Sequence, residues 1–141
     1  QADAWLALCG GGCSESLRRT AVLTLARGAA GKPPLRAAAA ANEVAIALSD
    51  KQPVVRRSAA HLLEWFARRV EYYDEPQSKG DMPNKYIEKF AVVGGQVAVA
   101  LSDEDVAVRC WAARTLSRMG KTAEEQKDKV KAALRDNDAA V

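Results

Sequence analysis

The stretch Ala98–Met119, AVALSDEDVAVRCWAARTLSRM, decides the fold because its pattern occurs twice in the chain. From Leu101 to Leu116 it reads L-S-D, four residues, V-R, two residues, A-A, two residues, L. Residues 48–63 repeat every one of these positions without a gap. A sequence that repeats itself at fixed spacing predicts a stack of similar supersecondary units.

Two weaker copies are in phase with the strong ones. Residues 17–25 fit the second half of the pattern, after a glycine-rich turn at 10–12, and residues 134–136 open a copy near the C-terminal end. Ordinary helical-pair repeats run about 33 to 47 residues, whereas one of the spacings here is longer and predicts an insertion, placed at residues 74–84. The turn residues Gly12, Asp50, Asp103 and Asp136 are separated by 38, 53 and 33 residues.

Between the turns, apolar residues recur at three- and four-residue steps, which is typical of helices with one buried stripe. The sequence therefore predicts an all-α protein, an α-solenoid of stacked antiparallel helix pairs with about three and a half units. Residues 1–141 form one domain in this interpretation. Its units are residues 2–29, 33–73, 83–120 and an incomplete 122–141.

The two strong copies resemble HEAT-like repeats of the short variety first noted in phycobilin lyases. In that family each repeat is an antiparallel helix pair, and an Asp in the turn and an Arg in the second helix are typical. Here these are Asp50 with Arg56 and Asp103 with Arg109. The chain departs from the family pattern at both ends, since the first unit lacks the turn Asp and the last lacks its second helix.

A structural role is the preferred interpretation of these charged residues. A turn carboxylate near the start of the second helix can accept hydrogen bonds from its free N–H groups. The Arg lies about one helical turn further on and can tie adjacent turns together. The structural turn and ladder residues predicted in this way are Asp50, Arg56, Asp103, Arg109 and Asp136.

Composition and charge restrict the partners. The net charge of +3 is too small to indicate a polyanionic partner, although residues 1–70 carry 10 basic against 5 acidic residues and residues 71–141 carry 11 against 13. No long apolar run indicates a transmembrane segment, so we expect at most peripheral membrane association through a complex. Three cysteines are too few for a disulfide framework and favour a reducing intracellular compartment, the cytoplasm or an organelle interior.

No set of residues predicts a reaction, a cofactor or a metal site. Cys9 and Cys13 flank three glycines without a CxxC spacing or a nearby histidine, and the only histidine, His61, falls between apolar helix positions. Some HEAT-like proteins are metal-dependent hydroxylases that use His-Glu pairs, and this chain contains no His-Glu dipeptide. We therefore expect a protein that is not an enzyme and that needs no cofactor.

Two surfaces are candidates for binding. Stacking would align arginines at equivalent points of successive second helices as an anion-binding ridge, interrupted where Cys110 replaces the second Arg of the third unit. The ridge residues are Arg18, Arg19, Arg56, Arg57 and Arg109.

The second candidate surface surrounds the insertion at 74–84. Loops on a rigid stack often meet partners, and aromatic residues are favoured at interfaces. The predicted partner contacts there are Trp65, Tyr72, Tyr73, Met82 and Tyr86.

These observations favour a non-enzymatic protein–protein interaction scaffold, a subunit or fragment of a larger complex whose partners are other protein subunits. One alternative is a lyase-type or chaperone-like accessory subunit that holds a chromophore or a client protein, as the resemblance implies. A second alternative, which the small net charge disfavours, is nucleic-acid or anionic-surface binding through the arginine ridge.

Overall fold

The computed structural model describes residues 14–29, 41–74, 90–133 and 135. All regular structure in these ranges is helical, so the all-α prediction is confirmed for the described part of the chain. The α-helices are α1 (Glu15–Ala29), α2 (41–46), α3 (Pro53–Asp74), α4 (Gly94–Ala100), α5 (Val106–Met119) and α6 (Lys127–Ala133). Short 3₁₀ segments extend α2 at Ala47–Ser49, precede α4 at Ala91–Val93 and connect α5 to α6 at Gly120–Gln126.

Local sequence explains where α1, α3 and α5 begin. Before α1, the Ser14 hydroxyl accepts a hydrogen bond from the Leu17 N–H at 3.3 Å. α3 begins at Pro53, whose missing N–H costs nothing in the first helical turn. The Asp105 carboxylate caps α5 by accepting the N–H groups of Ala107 and Val108.

α3 holds the described helices together. It packs against α1, against the 3₁₀ segment Ala47–Ser49 and, most extensively, against α5. α4 packs against α5, and the segment Gly120–Gln126 contacts both. Three side-chain contacts follow one another in the same order along α3 and α5, so these two helices run in the same direction. They are Arg57 with Asp105, His61 with Trp111 and Glu64 with Arg118.

The core is built from the predicted apolar stripes. Leu63 and Leu116, which occupy equivalent repeat positions, are both buried, and the phenylalanines at 66 and 90 are fully buried between the helices. Leu62 and Trp111 follow the same helical steps but are only half-buried, at the edge of the core. Trp111 therefore has part of its ring at the surface.

Gly120 ends α5 in a conformation that suits only glycine. Its φ is +55° and its ψ is −127°, and its N–H donates to the Ser117 carbonyl. We expect Gly120→Ala to lower the free energy of unfolding by about 1–3 kcal/mol, because an L side chain is strained at this φ although there is room for it.

Gly95 provides the matched control for that prediction. It lies exposed in α4 with ordinary helical geometry, and a Cβ there would meet nothing within 4 Å. Gly95→Ala should therefore raise the free energy of unfolding by about 0.5–1 kcal/mol, measured by urea denaturation. Equal effects of the two substitutions would contradict this interpretation.

Candidate functional site

Two Arg–Asp pairs connect α1 to the turn before α3 and α3 to the turn before α5, and we call them the ladder. Arg18 in α1 donates from Nε and Nη2 to the two carboxylate oxygens of Asp50, at 2.6 and 3.1 Å. Arg56 in α3 donates from the same two nitrogens to Asp103, at 2.8 and 3.2 Å. The same bidentate geometry therefore occurs twice, at equivalent repeat positions, and charge-assisted bonds of this kind are the strong ones.

Each ladder arginine of a strong copy also binds its own turn. Arg56 Nη1 donates to the carbonyl oxygens of Asp50 and Lys51, at 2.9 and 3.3 Å. Arg109 Nη1 repeats this contact with the carbonyls of Asp103 and Glu104, at 2.9 and 3.2 Å. The single side chain of Arg56 thus links two successive turns. Asp136, the next turn residue along the sequence, lies outside the described residues.

The turn carboxylates differ from the expected helix cap. Asp50 and Asp103 accept the N–H groups of Gln52 and Asp105, which precede the helices, at 2.9 and 2.8 Å. The N–H groups that open α5 are capped by Asp105 instead. Each ladder aspartate therefore closes its turn and receives an arginine, and the capping of α5 belongs to a different residue.

This geometry corrects the hypothesis of an open arginine ridge. Arg18 and Arg56 are only 3% and 8% exposed, and each is neutralised by a carboxylate. Arg57 is exposed but pairs with Asp105 at 2.6 Å, and Arg109 is committed to turn carbonyls. Arg19, at the surface of α1, is also exposed, so two of the five ridge residues have the accessibility that the ridge hypothesis requires.

Sequence reasoning missed a different surface, which α3 and α5 form together and which we call the Trp–Arg face. Its residues recur at helical steps on each helix, so they share one side. A possible signal was the absence of any acidic residue from α5, which carries three arginines. The Trp–Arg face consists of Trp65, Arg68 and Arg69 on α3 and Trp111, Arg114 and Arg118 on α5.

Aromatic and cationic side chains contact one another across this face. The guanidinium carbons of Arg69 and Arg114 lie 5.1 Å from the ring centroids of Trp65 and Trp111, respectively. The exposed His61 ring lies 4.4 Å from Trp111 and is tilted by 33°. Cation–π contacts of this kind contribute about 0.5–1 kcal/mol at exposed sites. They hold the arginines in defined positions on the surface.

Glu64 is the buried anchor beneath the Trp–Arg face. Its side chain is 1% exposed and accepts hydrogen bonds from Arg68 at 2.9 Å and from Arg118 at 2.8 Å. Burial by itself would raise the pKa of Glu64, but the two arginines hold it below its ordinary value of 4.5. One carboxylate therefore joins α3 to α5 and orients an arginine from each helix.

Two other carboxylates share this electrostatic behaviour. Burial would raise the pKa of Asp50, but Arg18 and the Gln52 N–H lower it below 3.8. For Asp105, Arg57 and the backbone N–H groups of Val108 and Ala107 likewise outweigh burial and lower the pKa.

The lowered pKa values predict a loss of stability in acid. A carboxyl group whose pKa is lower in the folded state than in the unfolded chain stabilises the fold above its unfolded pKa, and this contribution disappears as the pH falls through the folded pKa. We expect the urea midpoint to be flat between about pH 7 and 5 and to fall progressively below about pH 4.5. Glu64→Gln removes one of the titrating groups and should make the fall shallower. A midpoint that stays constant or rises on acidification would contradict the prediction.

The remaining predicted residues are placed as follows. Trp65 is half-buried and its ring lies 5.5 Å from Phe66, so it belongs to the Trp–Arg face and to the edge of the core. Tyr72 and Tyr73 lie in α3, but their side chains are not among those described. Met82, Tyr86 and most of the insertion, as well as Cys9 and Cys13, lie outside the described residues.

A groove of about 480 Å³ between α5 and α6 is lined by aliphatic residues such as Leu116 and Val130 and by polar residues such as Ser117 and Lys127. Among the described residues, no group of three or more His, Cys, Asp or Glu side chains could hold a metal ion. None of the described helices is both long enough and apolar enough to cross a membrane.

Comparison of the chain with family models, with curated proteins and with solved structures found no significant match.

Proposed function

We propose that this chain is a non-enzymatic protein–protein interaction scaffold, an α-solenoid of stacked antiparallel helix pairs that presents the Trp–Arg face to a partner protein. The observation that carries the proposal is the Trp–Arg face itself. Tryptophan and arginine are the residue types most enriched at interfaces and at their energetic hot spots. Here both types meet at the surface of two adjacent helices, on a buried Glu64 anchor.

The ladder supports the solenoid part of the proposal. The pairs Arg18–Asp50 and Arg56–Asp103 use the same atoms and join successive second helices at equivalent repeat positions. In a repeat protein each unit contacts its neighbours, and interfaces between units supply much of the stability. Buried pairs repeated at each junction would hold the second helices at a constant spacing. A constant spacing would keep the Trp–Arg face rigid before a partner binds, which lowers the entropic cost of binding.

Affinity capture from the native source tests this function. The tagged chain is compared with Arg114→Glu, which reverses the charge at an exposed position of the Trp–Arg face. The matched control is Arg19→Glu, an equal charge change at the exposed surface of α1. We expect a stoichiometric protein companion with the unmodified chain and with Arg19→Glu, and its loss with Arg114→Glu.

Two results would contradict the proposal. One is a chain that captures no stoichiometric companion, and the other is a companion that Arg114→Glu retains as well as the unmodified chain does. Circular dichroism of both variants controls for folding, since exposed substitutions usually change stability by less than about 0.5 kcal/mol. A pigment in the captured material would favour the accessory-subunit alternative instead.

A further inference from the structure

The sequences of α3 and α5 carry more basic than acidic residues. α3 has four arginines against three acidic residues, and α5 has three arginines and no acidic residue. Turn carboxylates and carbonyls engage Arg56, Arg57 and Arg109. Within the Trp–Arg face, Glu64 pairs with Arg68 and Arg118. Taken together, α3 and α5 carry seven arginines against three acidic residues, which is a net positive charge.

Arg114 is an accessible cation of this face. It is exposed, its guanidinium lies over the Trp111 ring, and no carboxylate among the described residues pairs with it. An arginine stacked on an aromatic ring still presents the N–H groups at the edge of its planar guanidinium, which match a carboxylate in bidentate geometry. Arg68, with a side chain 55% exposed, flanks the same surface from α3.

A nucleic-acid backbone fits this surface less well than a short acidic segment does. Binding to phosphate backbones draws on many basic contacts along a continuous stripe. The arginines that could continue such a stripe, Arg18 and Arg56, are buried and paired. In single-strand binding the aromatic rings serve as stacking platforms for bases. The Trp111 ring already contacts both His61 and Arg114.

Resting on the proposed function, we infer that the partner segment seated on the Trp–Arg face is an extended, acidic peptide stretch rich in Glu or Asp. Its carboxylates bind Arg114 and Arg68, and its apolar backbone and side-chain atoms lie against Trp65 and Trp111. The face spans eight residues of α5, from Trp111 to Arg118, or about 12 Å along the helix at about 1.5 Å per residue. An extended peptide covers that length with about four residues at about 3.3 Å each.

The test is a titration of the full chain with a peptide, in which tryptophan fluorescence reports binding. The probe is a peptide of about eight residues with a central run of four glutamates, because about four extended residues cover the face. The comparison probes are the same peptide with glutamines in place of the glutamates, and an oligothymidylate of similar length. We expect the glutamine peptide to bind at least about tenfold more weakly, because it loses charge-assisted hydrogen bonds.

Variants localise the binding. Arg114→Gln should lower the affinity for the glutamate peptide by about tenfold, whereas the matched Arg19→Gln should change this affinity by less than about twofold. Because both positions are exposed, we expect both variants to fold. Their melting curves check this. Four results would overturn the inference: no binding of the glutamate peptide, equal binding of the glutamine peptide, tighter binding of the oligothymidylate, or equal losses from both substitutions.

Failure of this inference and failure of the proposed function can be told apart. If the peptide does not bind but Arg114→Glu still loses a captured protein, the Trp–Arg face is an interface for a partner of different chemistry. If no captured protein depends on Arg114, the proposed function itself is wrong, because the Trp–Arg face then does not bind a partner protein.

Discussion

We expect the Arg56→Met variant to lose about 3–5 kcal/mol of unfolding free energy, because it removes one partner of a buried ion pair. Arg56 donates to the carboxylates of Asp103 and Glu104 and to two carbonyls of its own turn. Without it, Asp103, whose side chain is 11% exposed, keeps a charge that its surroundings no longer compensate. Urea denaturation followed by circular dichroism measures the loss.

The adjacent residue supplies the control. Arg57→Met removes the same charge from the same helix, but the Arg57 side chain is 51% exposed. Without Arg57, the Asp105 carboxylate still accepts the N–H groups of Ala107 and Val108. Exposed pairs contribute about 0–1 kcal/mol, so this variant should lose no more than that. If the two variants lost the same free energy, Arg56 would have no special role in joining the turns.

The second large effect is expected in the core. Phe66 is fully buried in α3, and Phe→Ala substitutions of such residues cost about 3–5 kcal/mol through lost burial and the cavity that remains. Phe66→Ala should therefore lower the urea midpoint about as much as Arg56→Met does. The matched control is Leu17→Ala, because Leu17 is 44% exposed on α1 and its loss should change stability by less than about 0.5 kcal/mol.

A small loss in Phe66→Ala, comparable to that of Leu17→Ala, would contradict the packing described for α3. A different result would be an unfolding free energy that falls by about 3–5 kcal/mol in Phe66→Ala but hardly changes in Arg56→Met. It would show that apolar packing alone holds α3 against α5 and that the ladder contributes little stability.

Much of the fold could be predicted from the repeated pattern. Apolar residues at helical steps indicated the buried stripes, and Leu63 and Leu116 are buried at equivalent positions as that pattern requires. The Asp and Arg residues of the turns were predicted to be structural, although the pattern could not name their partners. Arg18 and Arg56 pair with aspartates 32 and 47 residues away, and only the packing of successive helices brings these groups together.

The Trp–Arg face could not be predicted from periodicity for the same reason. Trp111 falls on the apolar stripe of α5, but it lies at the edge of that stripe, where the neighbouring helix decides whether a ring is covered. Glu64 reads as one more surface charge in the sequence, yet the approach of α5 brings Arg118 to it and buries it. A basic ridge was predicted from arginines at equivalent positions of successive helices. Two of them, Arg18 and Arg56, are buried and paired, and other accessible arginines lie further along α3 and α5.

The central claim is that the Trp–Arg face is where a partner protein binds. Site-specific photo-crosslinking tests it most directly. p-Benzoyl-phenylalanine replaces the residue at position 61 or at position 96, and each variant is irradiated in an extract of the native source. His61 is exposed beside Trp111, and Gln96 is exposed on α4. We expect a discrete protein adduct from position 61 and none from position 96. An adduct from position 96 alone, or from neither position, would contradict it.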